Sequence, residues 1–133
     1  MITLESTDDG AGTIVRNDIL MTDSEAGTYG EGVVATSGRL TKVAATAAPQ
    51  MILHKTTASG TDVATEYIDV RRDQIWLVDI SGTASLVAAA IGAKVVRLDS
   101  TGLKIDASNL TGGKCEIISV DTVTSKARVR FDL

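Results

Sequence analysis

The sequence is poor in the residues that mark most recognisable active sites and metal sites. Its 133 residues include one cysteine, one histidine, one proline and only four aromatic side chains. A lone cysteine cannot form an internal disulfide, and no CxxC or cysteine–histidine cluster follows a zinc-site pattern. The shortage of aromatic rings also argues against a carbohydrate-binding module, because such modules need exposed aromatic platforms for sugar rings.

Charge and hydropathy exclude further classes of partner. The formal net charge at pH 7 is −4, whereas nucleic-acid-binding domains normally carry a strongly basic face. No apolar run approaches the roughly 18–20 residues that span a bilayer. Residues 1–9 are neither basic nor followed by the apolar stretch of a secretory signal. We therefore expect no direct nucleic-acid partner and no membrane partner.

The residues that are abundant favour β-structure. Thr, Ala, Val, Gly, Ser and Asp dominate the composition. Side chains branched at Cβ suit a pleated, half-buried surface, and glycine with small polar residues supplies turns at short intervals. The length suits one domain. We expect a mainly β fold, a small β-barrel or β-sandwich of about seven to nine short strands, with one short helix and an extended N-terminal arm.

Local patterns predict the first strands. Residues 32–36 and 39–44 flank Ser37-Gly38, a two-residue connection typical of a hairpin. Residues 74–80 are apolar on both faces for most of their length, which predicts a central strand. Shorter strands are predicted over residues 51–55, 66–70 and 103–106.

The C-terminal half predicts the helix and a second hairpin. A Ser/Thr-rich start, an alanine run and a closing Gly92 predict a helix over about residues 84–91. Residues 93–98 return to a β pattern. Residues 114–121 and 127–133 predict a C-terminal hairpin. The last strand places on one face Ala127, Val129, Phe131 and Leu133.

Residues 1–31 differ from the rest because neither a strand period nor a helix period runs through them. They are either a poorly ordered start with one edge strand or an extended arm that becomes ordered on a neighbouring subunit. We take residues 1–31 as an N-terminal arm and residues 32–133 as a single β-rich domain. The residues expected to anchor the arm on a neighbour are Ile14, Val15, Ile19 and Leu20.

Few residues could carry catalysis or bind a metal. His54 lies in an apolar strand pattern, and Cys115 could act as a nucleophile only if His54 activated it. The acidic residues Asp18, Asp23 and Glu25 lack the alternation and the central glycine of a calcium loop. We assign no catalytic, cofactor-binding or metal-binding residues, and we expect that the protein is not an enzyme.

Four stretches together carry a resemblance to a known family. They are GVVATSGRLTKV at residues 32–43, IWLV at 75–78, IGAKV at 91–95 and ARVRF at 127–131. The pattern resembles that of the capsid decoration proteins of tailed bacteriophages, which are also called cement or head-stabilisation proteins. It is diffuse, extends over much of residues 32–133 and contains no invariant signature.

The resemblance implies a structural virion protein that binds the outer surface of the expanded phage capsid and stabilises it against the internal pressure of DNA. It implies a homotrimer that contacts the major capsid protein, is made in the host cytoplasm and lies on the outer capsid surface, without a cofactor. Residues 1–31 would be the arm that reaches neighbouring subunits. Deletion of residues 1–21 is therefore expected to weaken capsid binding and to leave the body folded.

Two other classes of function stay open at this point. One is a tail or baseplate module, or a β-module that binds a host surface, which exposed clusters of Tyr or Trp would favour. The other is a small enzyme or ligand-binding barrel, which would need a pocket that holds His54 or a pair of carboxylates.

Overall fold

The computed structural model describes residues 1–7 and 14–133. In this part of the chain two β-sheets stack as a sandwich and do not close into a barrel, so the expected mainly β fold with one short helix is confirmed. In chain order the elements are β1 (Ile2–Thr7), β2 (Val15–Arg16), β3 (Gly32–Thr36), β4 (Arg39–Lys42), β5 (Met51–Leu53), β6 (Tyr67–Asp69), β7 (Gln74–Ser81), α1 (Ala84–Ala88), β8 (Lys104–Asp106), β9 (Cys115–Asp121) and β10 (Lys126–Phe131).

The first sheet is built around β7. Its order is β1-β7-β10-β9, and β8 also pairs with β7, in parallel, beyond the end of β1. Side chains along β7 alternate between buried and half-buried, because successive residues of a strand point to opposite faces. The predicted central strand is therefore confirmed, with Trp76 and Val78 in the core and Ile75 and Leu77 on the outer face.

The C-terminal hairpin is also confirmed. β9 and β10 pair in antiparallel register, and Ala127, Val129 and Phe131 are buried as their alternation predicts. The same pattern places Leu133 on this face, but Leu133 is 41% exposed. It follows the end of β10, where the strand alternation no longer determines the direction of a side chain.

The second sheet has the order β2-β6-β5-β3-β4 and is antiparallel throughout. The predicted hairpin joins β3 and β4. Its loop residues Ser37 and Gly38 have φ values of 50° and 77°. Two successive positive φ values are typical of a type I′ turn, whose twist matches that of the flanking strands.

The central strands of the second sheet, β5 and β6, are buried on both faces. Along β5 and β6, Ile52 and Ile68 join the hydrophobic cluster between the two sheets, which we call the inter-sheet core. The alternating neighbours point to the opposite face and form a second cluster, which we call the outer core. Its buried members are Met21, Val33, Leu40, Met51, Leu53 and Tyr67.

The chain between β2 and β3 covers the outer core. Met21 forms a parallel bridge with Leu40 of β4, and Gly27 forms an antiparallel bridge with Thr57. This part of the chain lies so close to the sheet that a Cβ on Gly27 would be 2.5 Å from Leu53 Cδ1. The molecule therefore has three layers, with the second sheet in the middle.

The structure places the predicted arm differently from the expectation. β1 pairs with β7, and Ile2 is buried in the inter-sheet core, while Met21 is buried in the outer core. The partners of these two buried side chains lie far away along the chain, so no local periodicity marks them. Deletion of residues 1–21 would remove β1 and β2 together with the buried side chains of Ile2 and Met21. We therefore replace the expectation that this deletion leaves the body folded with the expectation that it destabilises the body.

The helix is shorter than predicted. The sequence pattern extends over residues 84–91, whereas α1 ends at Ala88. The Ala90 amide then donates to the Val87 carbonyl in a tighter turn, and the Gly92 amide bonds to β9. An alanine run favours helix along its whole length, so the bond to β9 decides where this helix ends.

The predicted strand over residues 93–98 is not a continuous strand. Val96 forms an isolated bridge to Cys115 of β9, and Leu98 forms another to Ile105 of β8. Both side chains are fully buried, so the apolar pattern reflects burial. The chain changes its pairing partner between the two bridges, which prevents a regular ladder.

Candidate functional site

The four predicted anchor residues divide into two pairs. Ile14 and Val15 are exposed, at 76% and 44% of their surface. Ile19 and Leu20 are half-buried, and Ile19 packs against the outer core. The structure therefore places one pair on the body and leaves the other, which we call the exposed pair, open to a partner.

The exposed pair lies at the edge of the second sheet. β2 has only two residues, and it pairs with β6 through Val15–Ile68 and Arg16–Tyr67. Edge strands are normally protected in soluble proteins, because an open apolar edge can associate with another chain. An edge with two neighbouring exposed aliphatic side chains is therefore a candidate contact surface.

A polar cluster, which we call the arginine clamp, fixes this edge strand to the body. Arg16 donates from Nε and Nη2 to the two oxygens of Asp18, at 3.1 and 2.7 Å, and from Nη1 to Asp69 Oδ2 at 2.8 Å. The Tyr67 hydroxyl donates to Asp18 Oδ1 at 2.6 Å. The guanidinium also lies 5.4 Å from the centre of the Tyr67 ring. Only a planar, fork-shaped cation makes these contacts together.

Three members of the clamp have shifted pKa values. Hydrogen bonds from Arg16 and then from Tyr67 lower the pKa of Asp18 to about 2. Burial, followed by the hydrogen bond to Asp18, raises the pKa of Tyr67 to about 12. The bonds to Asp18 and Asp69 raise the pKa of Arg16 above its usual value. These three groups keep their charge states near neutral pH, so changes of pH in this range do not break the hydrogen bonds that hold β2 to the body.

Sequence reasoning missed the clamp because its halves are far apart. Tyr67 lies 49 residues from Asp18 along the chain, and Asp69 lies 53 residues from Arg16. The only local signal is that the two residues of each half, Arg16 with Asp18 and Tyr67 with Asp69, are two positions apart. In a strand this spacing places both side chains on the same face. That spacing occurs throughout a β-rich sequence, so it could not identify the pairing.

A second exposed apolar surface lies on the crossover from β7 to β8. Residues 80–96, which we call the neutral crossover, contain one charged side chain, Lys94. Within it Leu86, Ile91 and Val95 are about half exposed. Charged residues are depleted from the centres of protein–protein interfaces, so this surface is a second candidate contact.

The two residues considered for nucleophilic catalysis belong to different parts of the fold. Cys115 is buried in β9, and burial raises the pKa of its thiol to about 12. His54 follows β5, and its ring centre lies 5.4 Å from that of Tyr29. In the described part of the chain no hydrogen bond joins His54 to Cys115. A thiol that stays protonated is a poor nucleophile, so the two residues do not form a catalytic pair.

The acidic residues considered for calcium binding have protein partners. Asp23 Oδ1 accepts a hydrogen bond from the Asp62 amide at 3.0 Å. Glu25 accepts from the Thr41 hydroxyl and the Lys42 amide, each at 2.7 Å. Asp18, as described, belongs to the arginine clamp. Among the residues that the structure describes, no group of three or more His, Cys, Asp or Glu side chains is arranged to hold a metal ion.

One cavity includes His54 in its lining. It has a volume of about 290 Å³ and lies between β1 of the first sheet and β2, β5 and β6 of the second. Its walls are mainly apolar, and no carboxylate of the described residues lines it. A small enzyme or ligand-binding protein, the alternative left open above, would need a pocket that contains His54. This cavity is the candidate for such a pocket.

Comparison with family models, with curated proteins and with solved structures gave no match to this chain. In residues 1–7 and 14–133 no helix is both long enough and apolar enough to cross a membrane. The candidate binding features of the described residues are the exposed pair, the neutral crossover and the cavity.

Proposed function

We propose that this protein is a structural virion protein that binds the outer surface of the expanded phage capsid and stabilises it against the internal pressure of DNA. It acts as a homotrimer, contacts the major capsid protein and needs no cofactor. It is made in the host cytoplasm and located on the outer capsid surface. The sequence resemblance supports the family, and the exposure of Ile14 and Val15 is the observation that carries the proposal.

The exposed pair supports a capsid contact because the body of the protein fixes its position before any partner binds. Arg16 follows Val15 directly, and its bonds to Asp18 and Asp69 fix the backbone there. A partner that covers the pair therefore loses little affinity to ordering of this strand. Burial of one large aliphatic side chain contributes about 2 kcal/mol, so a single contact of this size is weak.

Repetition over a symmetric shell strengthens weak contacts. Once one subunit of a trimer is bound, the others bind at a high effective concentration, so the avidity exceeds the affinity of one subunit. A ligand shifts an equilibrium only toward the state that it binds more tightly. A protein that prefers the expanded shell therefore stabilises that shell.

The neutral crossover supports the contact between copies. Each chain carries a net charge of −4, so copies repel one another where acidic residues face each other. Residues 80–96 contain no acidic residue, and they expose Leu86, Ile91 and Val95. This surface allows identical chains to meet without repulsion between carboxylates, and it is the proposed trimer contact.

Co-sedimentation with undecorated expanded heads and with unexpanded procapsids of the phage that encodes the protein tests the proposal. We expect saturable binding to expanded heads only, at a fixed ratio to the major capsid protein. The double variant I14D/V15D should bind at least tenfold more weakly, because about 2 kcal/mol corresponds to more than a tenfold change in Kd. Val123→Asp is the matched control, since Val123 is 93% exposed at the tip of the β9–β10 hairpin; this variant should bind normally.

Other outcomes would contradict the proposal in distinct ways. Protein that stays in the supernatant with both particles would favour a tail, baseplate or host-surface module. Equal binding to procapsids and expanded heads would remove the stabilising mechanism. Sedimentation equilibrium tests the trimer contact, because Leu86→Glu should weaken self-association on the neutral crossover, whereas Val123→Asp should leave it unchanged.

A further inference from the structure

The cavity beside His54 lies between the outermost strands of the two sheets. β1 ends the first sheet and β2 ends the second, and both contribute lining residues. Its inner wall includes Ile52 and Ile68, which are buried in the inter-sheet core. Val15 and Tyr29 are the most exposed of the described lining residues. The cavity therefore extends from the core to a mouth at the protein surface beside these two side chains.

The mouth of the cavity is continuous with the exposed pair. Val15 belongs to both, because it lines the cavity and directly follows Ile14 along the exposed edge. On the other side of the mouth, the Tyr29 ring packs against His54 with a ring-centre distance of 5.4 Å. The Tyr29 amide also donates to the Thr56 hydroxyl at 3.0 Å, which fixes the backbone there. A partner that covers the exposed pair therefore also covers the mouth of the cavity.

The lining determines the chemistry of the group that fits. No Lys, Arg, Asp or Glu is found among the described lining residues, so a charged group would be buried there without a counter-charge. An apolar cavity of roughly 150 Å³ accommodates benzene in another protein. A volume of about 290 Å³ therefore has room for one large aliphatic or aromatic side chain. In protein interfaces, side chains that fill such pockets carry much of the binding free energy.

We propose that one large apolar side chain of the major capsid protein enters this cavity when the capsid protein covers the exposed pair. The inference rests on the proposed function, because it states how that partner is recognised. The exposed pair provides apolar contact area. The cavity adds selection by shape, because a partner without a protruding apolar side chain leaves it unfilled.

Two substitutions that fill the cavity test the inference by co-sedimentation with expanded heads. Val15→Phe adds a ring at the mouth and keeps the exposed surface apolar. Leu4→Phe adds bulk from β1, at a lining residue outside the exposed pair. Each should weaken binding at least tenfold, because burial of one large apolar side chain corresponds to more than a tenfold change in Kd. Without a contribution from the cavity, Val15→Phe would bind at least as tightly as the wild type, because it adds apolar area.

Each substitution has a matched control. Val123→Phe makes the same change at the exposed tip of the β9–β10 hairpin, and Leu4→Met keeps the volume of the side chain nearly constant. Both controls should bind like the wild type. Thermal unfolding of the isolated subunits shows which variants are folded. Should Leu4→Phe destabilise the body, Val15→Phe still tests the cavity, because Val15 lies at an exposed position.

The outcomes separate this inference from the proposed function. A wild-type protein that binds neither particle contradicts the proposed function and removes the inference with it. Binding that is lost in I14D/V15D and unchanged in Val15→Phe keeps the capsid function and overturns the cavity as a pocket. A folded Leu4→Phe variant that binds like the wild type, beside a weakened Val15→Phe, places the effect at the rim and also overturns the inference.

Discussion

The two faces of the second sheet are buried by different means. The inter-sheet core lies between two hydrogen-bonded sheets and contains the packed rings of Trp76 and Phe131. The outer core is smaller, and it is covered by the chain between β2 and β3, which has no strand of its own. The cover is held by the arginine clamp and by the bonds that Glu25 accepts from β4. The outer core therefore combines side-chain packing with polar attachments between the sheet and its cover.

This difference predicts unequal local stability. Between the cover and β4, the Thr22 amide donates to the Leu40 carbonyl and the Leu40 amide donates to the Leu20 carbonyl, both at 2.9 Å. Regions with few buried contacts open locally at a lower free energy than core strands. We therefore expect the outer core to open before the inter-sheet core, and four substitutions test this comparison.

The largest effect is expected from truncation in the inter-sheet core. Phe131→Ala removes a buried ring that packs against Trp76 and leaves a cavity. The free energy of unfolding should fall by about 4 kcal/mol. Urea denaturation followed by tryptophan fluorescence measures the change, and a loss below about 1 kcal/mol would show that this ring does not organise the core.

Truncation in the outer core should lower the free energy of unfolding by less, and its effect should be confined to the residues near the cover. Met21→Ala removes a buried side chain from beneath the cover, and we expect a loss of about 2 kcal/mol. Hydrogen exchange should show a greater loss of protection at the Thr22 and Leu40 amides than at the Val78 and Val129 amides. An equal loss at all four amides would mean that the cover and the first sheet unfold as one unit.

Removal of one bond of the arginine clamp should have a smaller effect. Tyr67→Phe deletes the hydroxyl that donates to Asp18 and keeps the buried ring. The free energy of unfolding at neutral pH should fall by about 1 kcal/mol. Arg16 still pairs with Asp18 and Asp69, so thermal unfolding should stay cooperative. A loss of stability as large as that of Phe131→Ala would contradict the expectation that the outer core contributes less to the free energy of unfolding than the inter-sheet core.

The same variant tests the pH dependence. The pKa of Tyr67 is about 12 in the folded protein and 10.0 for the free side chain, so the folded state holds the proton more tightly. The resulting stabilisation is complete below pH 10 and is lost as the pH rises toward about 12. The free energy of unfolding should therefore fall more steeply over this window in the wild type than in Tyr67→Phe. Parallel curves would show that Tyr67 keeps its ordinary pKa.

The smallest effect is expected at the exposed pair. Ile14 is 76% exposed, so Ile14→Asp should change the free energy of unfolding by less than about 0.5 kcal/mol. Thermal unfolding of the isolated subunit measures this change. A loss near that of Met21→Ala would show that Ile14 packs on the body, and the capsid contact would then need another surface.

The elements predicted correctly are those with a local signal. Ser37-Gly38 adopts the two positive φ values that a tight hairpin requires. The alternation of Ala127, Val129 and Phe131 marks the buried face of β10. The predicted helix begins at the correct residue but extends too far. The Gly92 amide bonds to β9, which lies later in the chain, and no local pattern shows this bond.

Local patterns specify the β-rich class, both hairpins and the central strand, because neighbouring residues carry that information in their turn chemistry and alternation. Folding in three dimensions adds the place of β1 in the first sheet, the burial of Met21 in a second core and the contacts of Arg16 with Tyr67 and Asp69. It also created the cavity beside His54, whose wall comes from both sheets. The physical reason is the same in each case. Long-range pairing brings together residues that are tens of positions apart, and no local pattern records which partner a buried or charged side chain will meet.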